Sequence, residues 1–148
     1  MVNIQRATTA DAETISELLG EIEAYYGGEA VPGDIAQIHA ALFSAQPMAT
    51  VLLAREGGDV VGLASYSFLW PAAGAEASLY LKELYVRATA RRRGVAGAFM
   101  AKLREAADEA GCTRVEWTAD RDNPPALAFY EAFGAEPRDG KVFYRWGK

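Results

Sequence analysis

The stretch from Leu79 to Ala110, LYLKELYVRATARRRGVAGAFMAKLREAADEA, constrains the fold more than any other part of the chain. Tyr80, Leu81, Leu84, Tyr85 and Val86 make a β-rich run. Arg91-Arg92-Arg93-Gly94 is a short basic turn. From Val95 to Ala110 the apolar residues Val95, Phe99, Met100, Leu103, Ala106 and Ala107 recur at helical spacing. A helix starting directly behind such a turn points several unpaired N–H groups at one place, and its dipole adds partial positive charge there. That is an anion site suited to phosphate. Gly94 lets the backbone come close to an anion, and Ala96, Gly97 and Ala98 keep side chains out of the way. The arginines would grip a phosphate from outside. No Gly-Lys-Ser/Thr follows, and the spelling is not G-x-G-x-x-G. By itself the turn also fits a solvated helix start.

The charge balance narrows the ligand. Net charge is −5, which argues against nucleic acid as the main partner. The cluster Arg87, Arg91, Arg92, Arg93 stands against that acidic background and fits a small phosphorylated ligand better than a polymer. The lone Cys112 excludes an internal disulfide and a multi-cysteine metal site. The single His39 argues against a histidine metal centre or a Ser–His triad, so no metal is expected. At 148 residues, with 51% hydrophobic and 24% charged residues, the chain is expected to be one globular domain, residues 1–148. No apolar run approaches the roughly 20 residues that span a bilayer, so no membrane partner is expected. The start MVNIQRATTADAE lacks a basic segment followed by an apolar block, which points to the cytoplasm.

The remaining elements follow in order. Val2 to Arg6 suggests a first strand, and Thr8-Thr9-Ala10-Asp11 a capping box opening a helix with the stripe Ile15, Leu18, Leu19, Ile22. Its other face is acidic, with Asp11, Glu13, Glu17, Glu21 and Glu23. That face is either solvated or helps attract a cationic amine. Tyr25-Tyr26-Gly27-Gly28 breaks the helix, and a second begins near Asp34 and runs through Phe43. Thr50–Arg55 and Val60–Leu69 read as strands joined by the hairpin signal Glu56-Gly57-Gly58-Asp59. Gly111 stops the long helix, and Thr113 to Thr118 reads as a strand. Asn123 is a natural N-cap for a short helix with Pro124 and Pro125 in its first turn, ended by Gly134. Lys141 to Trp146 reads as a last strand. Cys112 is expected as a buried small hydrophobe, and Trp70, Trp117 and Trp146 as core or interface. The order predicts an α/β domain with an early antiparallel hairpin and late parallel crossovers.

Arg91-x-x-Gly94-x-Ala96 behind Glu83-Leu84-Tyr85-Val86 resembles the coenzyme A signature of the GNAT superfamily of N-acetyltransferases, Arg/Gln-x-x-Gly-x-Gly/Ala. A second motif, Val115-Glu116-Trp117 followed by Asn123-Pro124-Pro125-Ala126-Leu127-Ala128-Phe129-Tyr130 and Gly134, is similar to that family's strand, Asn, and Ala-x-x-Phe-Tyr helix. With the helix–helix–hairpin start, the resemblance covers essentially the whole chain. It implies a mixed, largely antiparallel twisted sheet with a splayed central strand pair, flanked by about four helices. LYLKELYV and NPPALAFYEAFGA look closest to the diamine (polyamine or thialysine) acetyltransferase branch. That branch carries two acids where this chain has Lys82 and Glu83, and a lysine there would repel a polycation.

The resemblance also implies roles. Acetyl-CoA would be the co-substrate and a primary amine the acceptor. The segment Leu84, Tyr85, Val86, at a bulge in the central strand, would bond the acetyl carbonyl and pantetheine arm through its backbone. N–H groups from Arg92, Arg93, Gly94, Val95, Ala96, Gly97 and Ala98 would bind the pyrophosphate, with side-chain contacts from Arg91 and Arg92. Asn123 would bond the pantetheine region, with Ala126 and Phe129 packed beside it. Tyr130 matches the family's general acid, and a phenol with pKa near 10 suits a departing thiolate. Read without the family, Phe129-Tyr130 is better explained as core packing with a polar tip.

Acetyl transfer needs a neutral amine, and Glu83 is the candidate base. A salt-bridged surface carboxylate is the alternative reading of Glu83. In a regular strand Lys82 and Glu83 point to opposite faces, which a bulge would upset. Tyr25, Tyr26, Glu29 and Lys82 are candidate substrate contacts. A homodimer is expected, with Phe143-Tyr144-Arg145-Trp146 permitting it. The competing readings are a protein or peptide acetyltransferase and a non-catalytic acyl-CoA sensor.

Overall fold

The computed structural model describes residues 1–147. They fall into two compact units, Met1–Trp117 and the segment from Thr118 onward.

In the first unit, β1 (Asn3–Arg6) leads through a 3-10 turn (Thr9–Asp11) into α1 (Ala12–Tyr25) and then α2 (Ile35–Leu42). The strands β2 (Thr50–Glu56), β3 (Asp59–Leu69) and β4 (Ser78–Val86) come next. A 3-10 turn (Ala88–Ala90), α3 (Val95–Glu109) and β5 (Arg114–Glu116) complete it. The sheet is open and runs β1-β2-β3-β4-β5. Every neighbouring pair is antiparallel except β4–β5, which is parallel, as a crossover through α3 requires. With the helix of the second unit, the described residues hold five strands and four α-helices, the mixed α/β architecture expected from the sequence.

Local chemistry accounts for most boundaries. Asp11 accepts from the Thr8 N–H at 2.8 Å, in the capping box expected of Thr8 and Asp11. Asp34 caps α2 by accepting from the Gln37 N–H at 2.9 Å. Gly57 and Gly58 both take positive φ, 59° and 93°, as a two-residue hairpin of the right twist demands.

The sheet buries two faces. Val51, Leu53, Val60 and Leu63 pack with Ile15, Leu18 and Ile22 of α1 and Ile38 of α2. On the opposite face lies α3, whose Phe99 is fully buried against Gly62. A Cβ at Gly62 would stand 2.8 Å from the Tyr85 carbonyl oxygen and 3.0 Å from Phe99, so only glycine lets strand and helix close here.

Two features of β4 position the site. Its pairing with β5 covers only Ser78, Leu79 and Tyr80, so the strand runs on past the point where β5 leaves it. Its register against β3 also slips: Tyr66 faces Leu81, but Ser65 faces Glu83. Lys82 is therefore the extra residue of a bulge. The bulge lies two residues before Leu84, not at Leu84–Val86 as the family pattern suggested.

In the second unit, α4 (Pro124–Phe133) starts at Asn123, whose side chain accepts from the Ala126 N–H at 3.3 Å. It ends at Gly134, φ 96°.

Lys141–Trp146 forms no strand, contrary to expectation. Its β-branched and aromatic residues favour a pleated surface only where neighbours pack on it. Here Val142, Tyr144 and Trp146 are 73%, 86% and 101% exposed, so no burial offsets the entropy of ordering a strand. Trp70 and Trp146 are likewise not core. Trp70 instead donates from its indole to the Ala75 carbonyl at 2.9 Å, across its own loop. Cys112 is half-buried rather than buried.

Candidate active site

The first unit holds two adjoining arrangements, one made of main chain and one of side chains.

The main-chain arrangement is the turn between β4 and α3. Ala90 and Val95 are buried and pin its two ends. Between them Arg92 adopts φ 63°, a left-handed conformation that costs a non-glycine residue of order 1 kcal/mol, and Gly94 follows at φ 80°. Ala98 N–H makes the first helical bond, to the Gly94 carbonyl, at 3.0 Å. The N–H groups of Val95, Ala96 and Gly97 come before it, and no side chain caps the helix. A Cβ at Gly94 or Gly97 would meet nothing within 4 Å, so the space in front of these donors is open. Such a cradle fits a pyrophosphate.

The three arginines divide their work. Arg91 turns inward: its Nε donates to the Val86 carbonyl at 2.9 Å, and its guanidinium lies 5.2 Å from the Tyr25 ring centre and 5.9 Å from that of Tyr85. Arg93 pairs with Glu56 at 2.8 Å, tying the turn to the β2–β3 hairpin. Arg92 has no hydrogen-bond or ion-pair partner among the described residues.

The backbone before the turn is open as well. Arg87 N–H donates to the Val61 carbonyl at 2.8 Å, so by alternation the polar groups of Leu84 and Val86 point away from β3. The Val86 carbonyl that receives Arg91 lies on that outer side.

The side-chain arrangement lies on the α1 face of β4. Tyr26, the residue capping α1, donates its hydroxyl to Glu83 Oε1 at 3.2 Å. Tyr25 stacks edge-on with Tyr26 at 5.2 Å and with Tyr85 at 6.1 Å. Tyr85 donates to Glu21 Oε1 at 3.2 Å, and Arg87 forks onto the same carboxylate at 2.7–3.1 Å. Burial, then the charge and hydrogen bond of Glu21, push the Tyr85 phenol above its ordinary value. The hydrogen bonds to Glu21 raise Arg87 in turn.

The loop from α1 to α2 is held beside this face. Ser16 Oγ donates to the Gly33 carbonyl at 2.6 Å, and the Gly33 N–H returns a bond at 3.0 Å. Gly20 leaves room for the backbone of Val31 and Pro32, which a Cβ would meet at 3.2 Å. Glu29 sits exposed in that loop.

The structure thus brings Tyr25, Tyr26, Glu83, Tyr85 and Arg91 together. The sequence reading missed the pairing of Glu21 with Arg87, and Arg87 is thereby taken out of the basic cluster expected to face a phosphorylated ligand. The acidic face of α1 read as solvated or substrate-attracting, but Asp11 pairs with Arg55 at 2.6 Å and Glu21 with Arg87. The alternation of Glu17 and Glu21 one turn apart was the available signal. Asn123, Ala126, Phe129 and Tyr130 stand on the second unit, where Phe129 meets Tyr130 edge-on at 5.2 Å and stacks on Phe133 at 6.1 Å. Asn123 is the helix cap there. His39 packs against Phe43 at 5.7 Å in α2. Among the described residues no group of three or more His, Cys, Asp or Glu could hold a metal, and no helix is long and apolar enough to cross a membrane.

Comparison with known proteins gives the family and the fold. Residues 14–135 match the model of the acetyltransferase (GNAT) family. The chain is 25% identical over 144 residues to the uncharacterized N-acetyltransferase YhfO of Bacillus subtilis (strain 168), covering 97% of this chain and 95% of that protein. Its fold superposes on the integron cassette protein VCH_CASS6 from the mobile metagenome of V. cholerae with a TM-score of 0.86 and 30% identity, covering 99% and 93% of the two chains. It also superposes on an aminoglycoside acetyltransferase, meta-AAC0020, from an uncultured soil metagenomic sample, in complex with sisomicin. That TM-score is 0.81, covering 99% and 97% of the chains, and at 20% identity the likeness is of fold alone. The chain belongs to the acetyltransferase (GNAT) family and is an acyltransferase of the N-acetyltransferase class.

Proposed function

We propose that this chain acetylates a primary amine on a small molecule, with acetyl-CoA as donor. One observation carries the reading. A single strand presents a carboxylate held by a tyrosine and then runs, through open backbone at Leu84 and Val86, into an uncapped helix start with Gly94 at its mouth.

Acetyl-CoA supplies an activated acyl group. The N–H groups from Arg92 through Gly97 bind its pyrophosphate, Ala98 dropping out because its N–H is bonded to the Gly94 carbonyl, and Arg92 supplies the outer positive charge, since Arg91 and Arg93 are engaged elsewhere. The outward backbone of Leu84 and Val86 orients the acyl end. Asn123, Ala126 and Phe129 line the cofactor by analogy with the family pattern.

Glu83 takes the proton that keeps the acceptor ammonium from being a nucleophile. Tyr130 returns a proton to the departing sulfur, for which its phenol is matched. Tyr25, Tyr26, Glu29 and Lys82 bound the acceptor. The spelling around β4 and α4 relates the chain to the diamine acetyltransferase branch, but Lys82 disfavours a polyamine. The same reading makes residues 1–148 one N-acetyltransferase domain, cytoplasmic and homodimeric, with the exposed Phe143, Tyr144 and Trp146 as pairing surface.

The test is thiol release from acetyl-CoA across a panel of amines, with Tyr130→Phe beside the wild type. The panel holds polyamines, lysine and its thioether analogue, aminoglycosides, amino acids and lysine peptides. Turnover of a small amine, lost in Tyr130→Phe while acetyl-CoA still binds, supports the reading. Turnover of peptides alone assigns a protein acetyltransferase. Acetyl-CoA binding with no turnover of any amine assigns a sensor.

A further inference from the structure

The bulge in β4 says something about the acceptor that a regular strand would not. Leu81 faces Tyr66 and Leu84 faces Ala64. Tyr66 and Ala64 share the α3 face of β3 with Gly62, against which Phe99 packs. Leu81 and Leu84 therefore point to the same face although three residues apart. The two residues between them, Lys82 and Glu83, both fall on the other side, opposite Ser65. That is the α1 side, where Tyr26 meets the Glu83 carboxylate. A lysine and the candidate base thus stand side by side on the acceptor face, and Lys82 is exposed.

The surrounding charges lean the same way. Glu21 and Glu17 both engage Arg87. Among the described residues, the other charges on β4 or touching it from this side are the Glu83 carboxylate, the cations Lys82 and Arg91, and, at the far end of the strand, Glu116, which accepts from the Ser78 hydroxyl and lies against Arg114. A diamine would bring its second ammonium against those cations. An acceptor with an anionic group a few bonds from its amine would meet both members of the pair.

Resting on the acetyltransferase reading above, we infer that the acceptor is a zwitterion: a primary amine carrying a carboxylate or similar anion, for which Lys82 is the specificity residue. The Lys82 ammonium takes the anion and Glu83 takes the proton of the amine.

The inference is tested with matched acceptors: ω-amino acids of two to six carbons and the common α-amino acids, each beside the alkylamine and the diamine of the same length. The wild type should favour the carboxylate-bearing member in kcat/KM by about tenfold or more, the scale of a charge-assisted contact. Lys82→Gln should flatten the order, mainly through KM. Lys82→Glu should invert it in favour of diamines. Both variants should bind acetyl-CoA as the wild type does, which reports folding. A wild-type preference for diamines, or an order that Lys82→Glu leaves unmoved, overturns the inference while leaving acetyl transfer intact. No turnover of any amine, with acetyl-CoA still bound, overturns the acetyltransferase reading and the inference with it.

Discussion

The turn before α3 and the α1 face of β4 lie at successive points of one chain, yet they are built from different material. The turn is main chain. Its donors are the N–H groups of Val95, Ala96 and Gly97, and its shape comes from left-handed conformations at Arg92 and Gly94. The face is side chain. Tyr26 reaches Glu83 across 57 residues of sequence, and Tyr85 reaches Glu21 across 64. A main-chain cradle recognises what every acyl-CoA shares. A side-chain face can change its charge pattern without disturbing the fold. A transferase that keeps its donor and varies its acceptor needs one of each.

The comparison can be broken most sharply at Glu83. Glu83→Gln keeps the shape of the face and should cut kcat by about 10²–10⁴-fold, the usual range for a positioned base, while leaving acetyl-CoA binding unchanged. Steady-state rates beside a calorimetric titration check both halves. A next smaller effect is expected at Gly94. Gly94→Val forces a β-branched residue to φ near 80°, at a strain of about 1–3 kcal/mol, and places methyl groups at the cradle's mouth. Acetyl-CoA affinity should fall at least about tenfold, with the fall read directly from the binding isotherm. Were Gly94→Val to lower kcat without weakening binding, the division of labour would be wrong.

Tyr26→Phe sharpens the picture on the other side. It removes one hydrogen bond to a carboxylate, worth about 1.5–3 kcal/mol when the acceptor is charged. A loss in kcat of about tenfold is expected, absent when the same change is made on Glu83→Gln. A loss of equal size in both backgrounds would make Tyr26 a packing residue only.

The smallest effect concerns pH. The folded chain holds the Tyr85 proton more tightly than the unfolded chain, whose phenol titrates near 10. The stability this contributes is full below about pH 10 and is lost as pH rises through the higher folded value. Thermal melts between pH 9 and 12 should show a decline that Tyr85→Phe makes shallower.

The same division explains what could be read in the sequence. The turn was legible because its signals are local: a β-rich run, Gly94 at a fixed distance behind Arg91, and an apolar helical stripe. The hairpin at Gly57-Gly58 and the caps at Asp34 and Asn123 were legible for the same reason. The bulge at Lys82 was not, because it exists only in the pairing of β4 with Ser65 and Tyr66. The Glu21–Arg87 pair also needed the fold before its partners could be matched. The run from Lys141 to Trp146 failed in the opposite sense. Its residues have strand propensity, but propensity describes a fit to neighbours, and Val142, Tyr144 and Trp146 stand exposed.

The most direct test of the central claim is a calorimetric titration of acetyl-CoA into the wild-type protein, beside acetyl-pantetheine, which keeps the acyl arm and lacks the pyrophosphate. Saturable one-site binding that weakens when the pyrophosphate is removed is the predicted result, since the proposed reading gives that group to the uncapped N–H groups of Val95, Ala96 and Gly97. Absence of binding, or binding indifferent to the pyrophosphate, would contradict the account.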